Sequence, residues 1–168
     1  MDNIKIRQII PGDAEQIIKV AEIIDTETTF TLRKSGERKT TIEEQRKNIE
    51  EVLSKPNKMI FVAEDARKIV GYLTCLGGSY EMTKRTAIII IGILQSHTGK
   101  HIGTKLFEVM EAWAKSVGIH RLELKVDDGN DRGMGLYKKM GFVMEGITKD
   151  STFVNGKYRD AFVMAKII

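Results

Sequence analysis

The stretch that most constrains this chain is residues 88–110, IIIIGILQSHTGKHIGTKLFEVM. A run of branched apolar residues reads as a strand, and the residues around Gly99 and Gly103 read as a turn. The turn runs directly into a helical pattern, with Leu106, Val109, Met110 and Trp113 as its apolar stripe. Strand, glycine turn and helix start leave backbone N–H groups and the positive end of a helix dipole in front of an anion. The pyrophosphate of a nucleotide-like cofactor would fit there. A plain strand–helix connection with a glycine at each bend reads equally well from this turn alone. The pattern GxxxxGK[ST] fails, because three residues separate Gly99 from Gly103 and no lysine directly precedes Thr104. GxGxxG fails as well.

The flanking sequence places this unit in a mixed α/β chain. Ile4, Ile6 and Gln8 alternate with Lys5 and Arg7, as in a strand. Pro11 and Gly12 end it, and Asp13 is positioned to cap a helix over 14–25. Residues 26–39 show no sustained period and read as a long loop, a place where function concentrates. Thr40 or Thr41, with Glu43 and Glu44, resembles a helix start. That helix runs to about 55.

Strands follow over 59–64 and 69–76, joined by a tight turn. The strand over 85–94 is so apolar that it should be central and covered on both faces. Within it, Gly92 marks a bulge or a close backbone approach. After the helix over 102–117 come a strand at 120–126, a helix from Asn130 or Asp131 to Gly141, and strands at 142–147 and 158–168. Asn155–Gly156 signals a hairpin before the last of these. The order is β-α-α-β-β-β-α-β-α-β-β, an α/β (α+β) layout with a largely antiparallel start.

The chain has 168 residues, which suits one domain over 1–168. Its formal net charge is +4, a mild excess with no single-sign block, so a nucleic-acid-binding tail is not indicated. The longest apolar run, 87–94, is strand-sized, and no membrane span is expected. Without a basic-then-apolar leader, the expected location is cytoplasmic. Cys75 is the one cysteine, so no internal disulfide can form, and it reads as a small core residue. His97 and His120 lack Cys or acidic partners at ligand spacing, so no metal site is expected.

A second constellation lies at 130–142, NDRGMGLYKKMGF. Taken alone it is a capped helix ended by Gly–Phe, with Tyr137 on it. Together with the turn at 95–104, it resembles the Gcn5-related N-acetyltransferase (GNAT) family. In that family a turn of form [QR]xxGxG precedes a helix, and a later N-x-x-A-x-x-x-Y-x-x-x-G-F segment follows. Here Asn130, Tyr137, Gly141 and Phe142 match, and Gly133 replaces the usual Ala. The segments KLFEVMEAWAKSVGIHRLELKV and NGKYRDAFVMAKII are similar to those of the small-molecule and amino-acid acetyltransferase branch. Aligned on Gly103, the turn departs from the family: Thr98 stands at the Gln/Arg position and His101 at the first glycine of GxG.

The resemblance implies the acyl-CoA N-acyltransferase fold, a mixed, mostly antiparallel central sheet with helices on both faces. It implies acetyl-CoA as cofactor and transfer of its acetyl group to a primary amine of a small molecule or amino acid. The turn Thr98, Gly99, Lys100, His101, Ile102, Gly103 and Thr104 would hold the pyrophosphate. The backbone at Ile93 and Leu94 would bind pantetheine and polarise the thioester. Asn130 would contact the pantetheine arm or order the helix of Tyr137, and Tyr137 would be the general acid on the sulfur. The strand before the turn has no acid, so the base is sought elsewhere: Glu27 in the long loop and Glu81 between strands are the candidates. A homodimer is the usual family expectation. Acetylation of a protein N-terminus or lysine, and a non-catalytic CoA-binding sensor, are the competing functions.

Overall fold

The computed structural model describes residues 4–168. Seven strands form one sheet in the order β1-β2-β3-β4-β5-β7-β6. In chain order the elements are β1 (Lys5–Gln8), α1 (Ala14–Glu27), α2 (Ile42–Leu53), β2 (Lys58–Asp65), β3 (Lys68–Gly77), β4 (Thr86–Ile93), α3 (Ile102–Ser116), β5 (Arg121–Asp127), α4 (Asp131–Lys139), β6 (Val143–Val154) and β7 (Lys157–Ile167). Every pairing is antiparallel except β4 with β5. The element order expected from the sequence is the observed one.

Local chemistry explains most boundaries. Thr41 caps α2 by accepting from the Glu44 amide, and the Glu44 carboxylate accepts from the Thr41 amide. That reciprocal pair satisfies two donors a helix start would otherwise leave open. Asp13 does not cap α1 as its position suggested. Its carboxylate accepts from the Ile10 amide and from Arg7, and closes the short turn that precedes the helix. The strand expected at 142–147 extends much further, to Val154, through register irregularities at 144–146 and 148–152.

The sheet divides two cores. On one face α3 and α4 bury Leu106, Phe107, Met110 and Tyr137 against Phe61, Leu122, Leu124 and Met164. On the other, α1 and α2 bury Ile17, Val20, Ile24 and Ile49 against Ile60, Val62 and Ile69. β4 is central, but it is not covered on both faces. Ala87 and Ile89 are buried, whereas Ile88 and Ile90, on the opposite face, are 55% and 40% exposed. The pair α1 and α2 packs over β2 and β3 and reaches β4 near Gly92, leaving the start of the strand open. Isoleucine content shows that a strand is strong; it does not show how far a helix layer extends.

Candidate functional site

β4 and β5 leave the same end of the sheet, and each feeds a turn and then a helix. Their parallel pairing covers Thr86–Ile88 against Arg121–Glu123 and then stops. Beyond it the strands splay apart. Leu94 donates its amide to the Val70 carbonyl, 2.9 Å away on β3. Along an antiparallel strand the backbone groups alternate sides. The amides of Ile91 and Ile93 therefore face the seam toward β5. This corrects the role expected for Leu94, whose N–H is committed to β3, and adds Ile91, whose apolar side chain gave no reason to single it out.

The seam opens into a cavity of about 450 Å³. Ile91, Gly92 and Ile93 line it from β4, Gln95 and Thr98 from the turn, Asn130, Gly133, Leu136 and Tyr137 from α4. Glu27, Thr28, Phe30 and Thr31 line it from the end of α1 and the loop that follows. Gly92 sits at a close approach: a Cβ there would lie 3.0 Å from Ile24 Cδ1 and 3.1 Å from the Tyr72 ring, so these side chains would have to give.

The turn leads into a helix start that no side chain caps. Gly99 has φ +79°. His101, where glycine was expected from the family pattern, takes the left-handed conformation itself, with φ 59° and ψ 15°. His is among the side chains that tolerate this region better than most, and its ring is exposed. His101 therefore preserves the backbone path that a glycine would supply. No side chain caps α3, and no acid stands in its first turn. The first amides of that helix, from Ile102, Gly103 and Thr104, have no partner within it. Thr98 bends its hydroxyl back to the Gln95 carbonyl at 2.8 Å, and Lys139 of α4 reaches Thr104 Oγ1 at 3.3 Å. Lys139 was not among the residues expected from the sequence; its nearness to the α3 start depends on how α4 docks.

Tyr137 is fixed by packing. Its ring makes edge contacts with Phe107 at 6.0 Å and lies 6.2 Å from Phe142, which itself packs on Phe107. The Phe142 amide donates to the Tyr137 carbonyl, so the Gly–Phe pair closes the helix and wedges the tyrosine together. The residue is 8% exposed and burial pushes its phenol up to about 12. Tyr137 lines the cavity, and its phenol keeps its proton at neutral pH. Asn130 orders this helix: its Oδ1 accepts from the Gly133 amide at 3.0 Å. A Cβ on Gly133 would lie 2.8 Å from the Asn130 amide nitrogen, so the alanine of the family pattern would need the Asn130 side chain to shift from where it stands here.

Of the two carboxylates expected as bases, Glu27 enters the cavity and Glu81 does not. Glu27 closes α1, and its Oε2 accepts from the Gln95 amide at 2.8 Å. It thereby joins α1 to the turn. Glu81 is 83% exposed in the β3–β4 connection and pairs with Lys84. His97 has an acidic partner that spacing could not show: Asp65, at the end of β2, lies 3.2 Å from its Nε2. Among the described residues no three His, Cys, Asp or Glu side chains converge as a metal cluster would need. Cys75 is fully buried on β3, and burial pushes its thiol up to about 12, so it stands as a core residue. No helix among the described residues is long and apolar enough to cross a membrane.

The family described as acetyltransferase (GNAT) matches residues 20–142. This chain belongs to the GNAT family. Among solved structures, it is similar to an acetyltransferase of the GNAT family from Streptococcus pneumoniae, with a TM-score of 0.95, 27% identity and 99% of each chain covered. A GNAT superfamily phosphinothricin acetyltransferase from Sinorhizobium meliloti, solved in complex with AcCoA, shares the fold at TM-score 0.86 and 16% identity, over 98% of this chain and 88% of that one. Among curated proteins, the GNAT chain is 31% identical over 102 residues to the spermidine N(1)-acetyltransferase of Vibrio cholerae, covering 60% of this chain and 58% of that protein. It is 30% identical over 105 residues to the L-amino acid N-acetyltransferase AaaT of Escherichia coli, covering 59% and 62%. The chain thus spans less than two thirds of the length of these curated relatives.

Proposed function

We propose that this protein is an N-acetyltransferase that moves the acetyl group of acetyl-CoA to the primary amine of a small molecule or an amino acid. The observation that carries the reading is that Tyr137, the seam-facing edge of β4 and Gln95 and Thr98, in the turn that leads to the uncapped start of α3, line one cavity at the β4–β5 seam. The residues suit the group: free amides at the start of α3 for a pyrophosphate, an unpaired strand edge for the pantetheine amides, and Tyr137 on the cavity wall.

The amine nitrogen attacks the acetyl carbonyl carbon, a C–N bond forms and the C–S bond breaks. As charge builds on the carbonyl oxygen, an Ile91 or Ile93 amide donates to it. As charge builds on sulfur, Tyr137 acts as general acid by donating its hydroxyl. With the phenol pushed up to about 12, above the ~8.5 of an ordinary thiol, the balance favours sharing the proton in a hydrogen bond over giving it up. The proton lost by the amine passes to the Glu27 carboxylate, directly or through a water, and then to solvent. Named relatives that act on spermidine and on L-amino acids support an amine acceptor of this size.

The test is thiol release from acetyl-CoA across amino acids, polyamines, aminoglycosides and peptides, with Tyr137→Phe beside the native protein. Turnover with a small amine and a kcat lowered ~10²-fold or more in the variant are expected, the range of a positioned acid. Turnover confined to peptides would overturn the acceptor class. Tight acetyl-CoA binding with no turnover on any amine would leave a sensor in place of an enzyme.

A further inference from the structure

Thr28, Phe30 and Thr31, in a loop, 28–41, that has no regular structure, line the cavity next to Glu27, the base in the reading above, and on that reading they form its acceptor wall. The loop should depend on a few fastenings. Arg38 pairs with Asp25 near its far end, and Ser35 meets Thr26 at 3.0 Å. The segment 29–31, which carries the wall, is fastened differently. Phe30 and Thr31 hydrogen-bond within the loop, to Thr28 Oγ1 and the Arg33 carbonyl. Among the described residues, the hydrogen bonds that leave 29–31 for other parts of the fold all end on Arg159 of β7.

Arg159 uses both the edge and a face of its guanidinium group. Nη1 donates to the Thr29 carbonyl at 3.1 Å and Nη2 to Thr29 Oγ1 at 3.3 Å. Nη1 also donates to Asp127 Oδ2 at 3.3 Å, and the same oxygen accepts from Thr152 Oγ1 of β6. The guanidinium carbon lies 4.7 Å from the centre of the Phe30 ring, a cation–π distance. Beyond the ring lies Gly129, at the start of the turn into α4, where a Cβ would come within 3.9 Å of Phe30 Cζ. One side chain therefore joins the acceptor wall to the end of β5 and to the β6–β7 hairpin. A lysine could supply the charge but not the planar fork that meets Thr29 twice and stacks on Phe30.

We propose that Arg159 is a positioning residue for the acceptor: it holds Phe30 and Thr31 against the cavity, and so sets affinity for the amine without touching the acetyl-CoA side. The kinetic half of this rests on the acetyltransferase reading above; the structural half does not. Two measurements on the full chain separate them. In limited trypsinolysis well below the melting temperature, Arg159→Ala speeds cleavage after Arg33 and Lys34 several-fold, and Arg159→Lys gives an intermediate rate. In turnover, Arg159→Ala raises KM for the accepted amine roughly tenfold, the loss expected from two hydrogen bonds and a cation–π contact. The Kd for acetyl-CoA stays near its native value, while the melting temperature falls by about 2–4 °C as the Thr29, Phe30 and Asp127 contacts are lost.

Unchanged cleavage in Arg159→Ala overturns the proposal, and so does an acetyl-CoA Kd that rises as much as the amine KM. If no amine is turned over at all, the acetyltransferase reading fails and the cleavage rates still decide the role of Arg159. Should Arg159→Ala not fold, Thr29→Ala, which removes the Oγ1 acceptor of Arg159 and does not line the cavity, is read in the same two assays, with the same outcomes supporting or overturning it.

Discussion

His101→Gly should make the protein more stable. His101 stands at φ 59° and ψ 15°, and no hydrogen bond from its side chain caps α3. A left-handed backbone brings Cβ toward the following carbonyl oxygen, at a cost of roughly 1–2 kcal/mol for an L-residue. Histidine feels the low end of that range, being one of the types more tolerant of the region. Glycine removes the contact but adds freedom to the unfolded chain, which costs about 0.4–1 kcal/mol. The difference favours glycine by about 0.5 kcal/mol, which for a chain of this length raises Tm by ~1–2 °C.

Calorimetry on His101→Gly and His101→Ala decides the matter, because alanine keeps the Cβ and gains no relief. Glycine is expected above the native protein, and alanine at or below it. Acetyl-CoA affinity should stay within about twofold in both, since the backbone path that presents the α3 amides does not change. A His101→Gly protein that melts earlier, or an alanine variant that melts later, would refute the strain argument. Loss of acetyl-CoA binding in both would show that the imidazole itself is the ligand.

Gly92→Ala would place a methyl 3.0 Å from Ile24 Cδ1 and 3.1 Å from the Tyr72 ring, so the urea midpoint should fall by the equivalent of ~1–3 kcal/mol. Arg38→Ala strands the Asp25 carboxylate, which is 5% exposed and held by Arg38 Nε at 2.7 Å. Chemical denaturation should show a loss of up to about 3–5 kcal/mol, and Asp25→Asn in the same chain should recover part of it. Burial pushes the Cys75 thiol from 9.0 up to about 12, so the folded state holds that proton more tightly than the unfolded state does. Its contribution is complete below pH 9 and is lost as pH rises from 9 to 12; Tyr137 acts in the same direction above pH 10. Urea midpoints at pH 8 and pH 10.5 should therefore separate more in the native protein than in Cys75→Ala.

What could be read from the sequence was what depends on neighbours in the chain. Thr41 with Glu44, Asn155 with Gly156, and the alternation in residues 120–126 act within a few residues, and each produced the element it signalled. Asn130, Gly133 and Tyr137 were legible for the same reason: a cap, a tight first turn and a buried ring lie on one short helix. Apart from Asp13, which turned back to Ile10 and Arg7 instead of capping α1, the misreadings were long-range. Whether the Leu94 amide is free depends on Val70, and whether Ile88 is covered depends on where α1 and α2 stop. His97 meets Asp65 across 32 residues, and Arg159 meets Thr29 across 130. No local period encodes such meetings, because they follow from strand order and from how loops cross the end of the sheet.

That strand order also explains why the site is where it is. Among the described residues β4 and β5 are the one parallel pair, so their C-terminal ends lie together, and so do the turns that follow them. Each turn opens a helix, so the N-termini of α3 and α4 converge at that end with their free amides and positive dipole ends. After three paired residues β5 leaves β4 and continues with β7, through Asp127 against Ala161. The edge of β4 at Ile91 and Ile93 is left with unpaired amides facing a cavity, a costly arrangement unless something polar enters. A dry apolar plug would leave those donors unsatisfied, whereas a ligand with amides and phosphates answers the strand edge and the helix start together. The splay between β4 and β5 is therefore the feature on which the functional reading depends. A disulfide closing it, with one cysteine in place of Ile91 and one in place of Val126, which continue the register of Ile88 with Glu123, should abolish acetyl-CoA binding when oxidised and restore it when reduced. Binding that survives the closed seam would place the cofactor somewhere else.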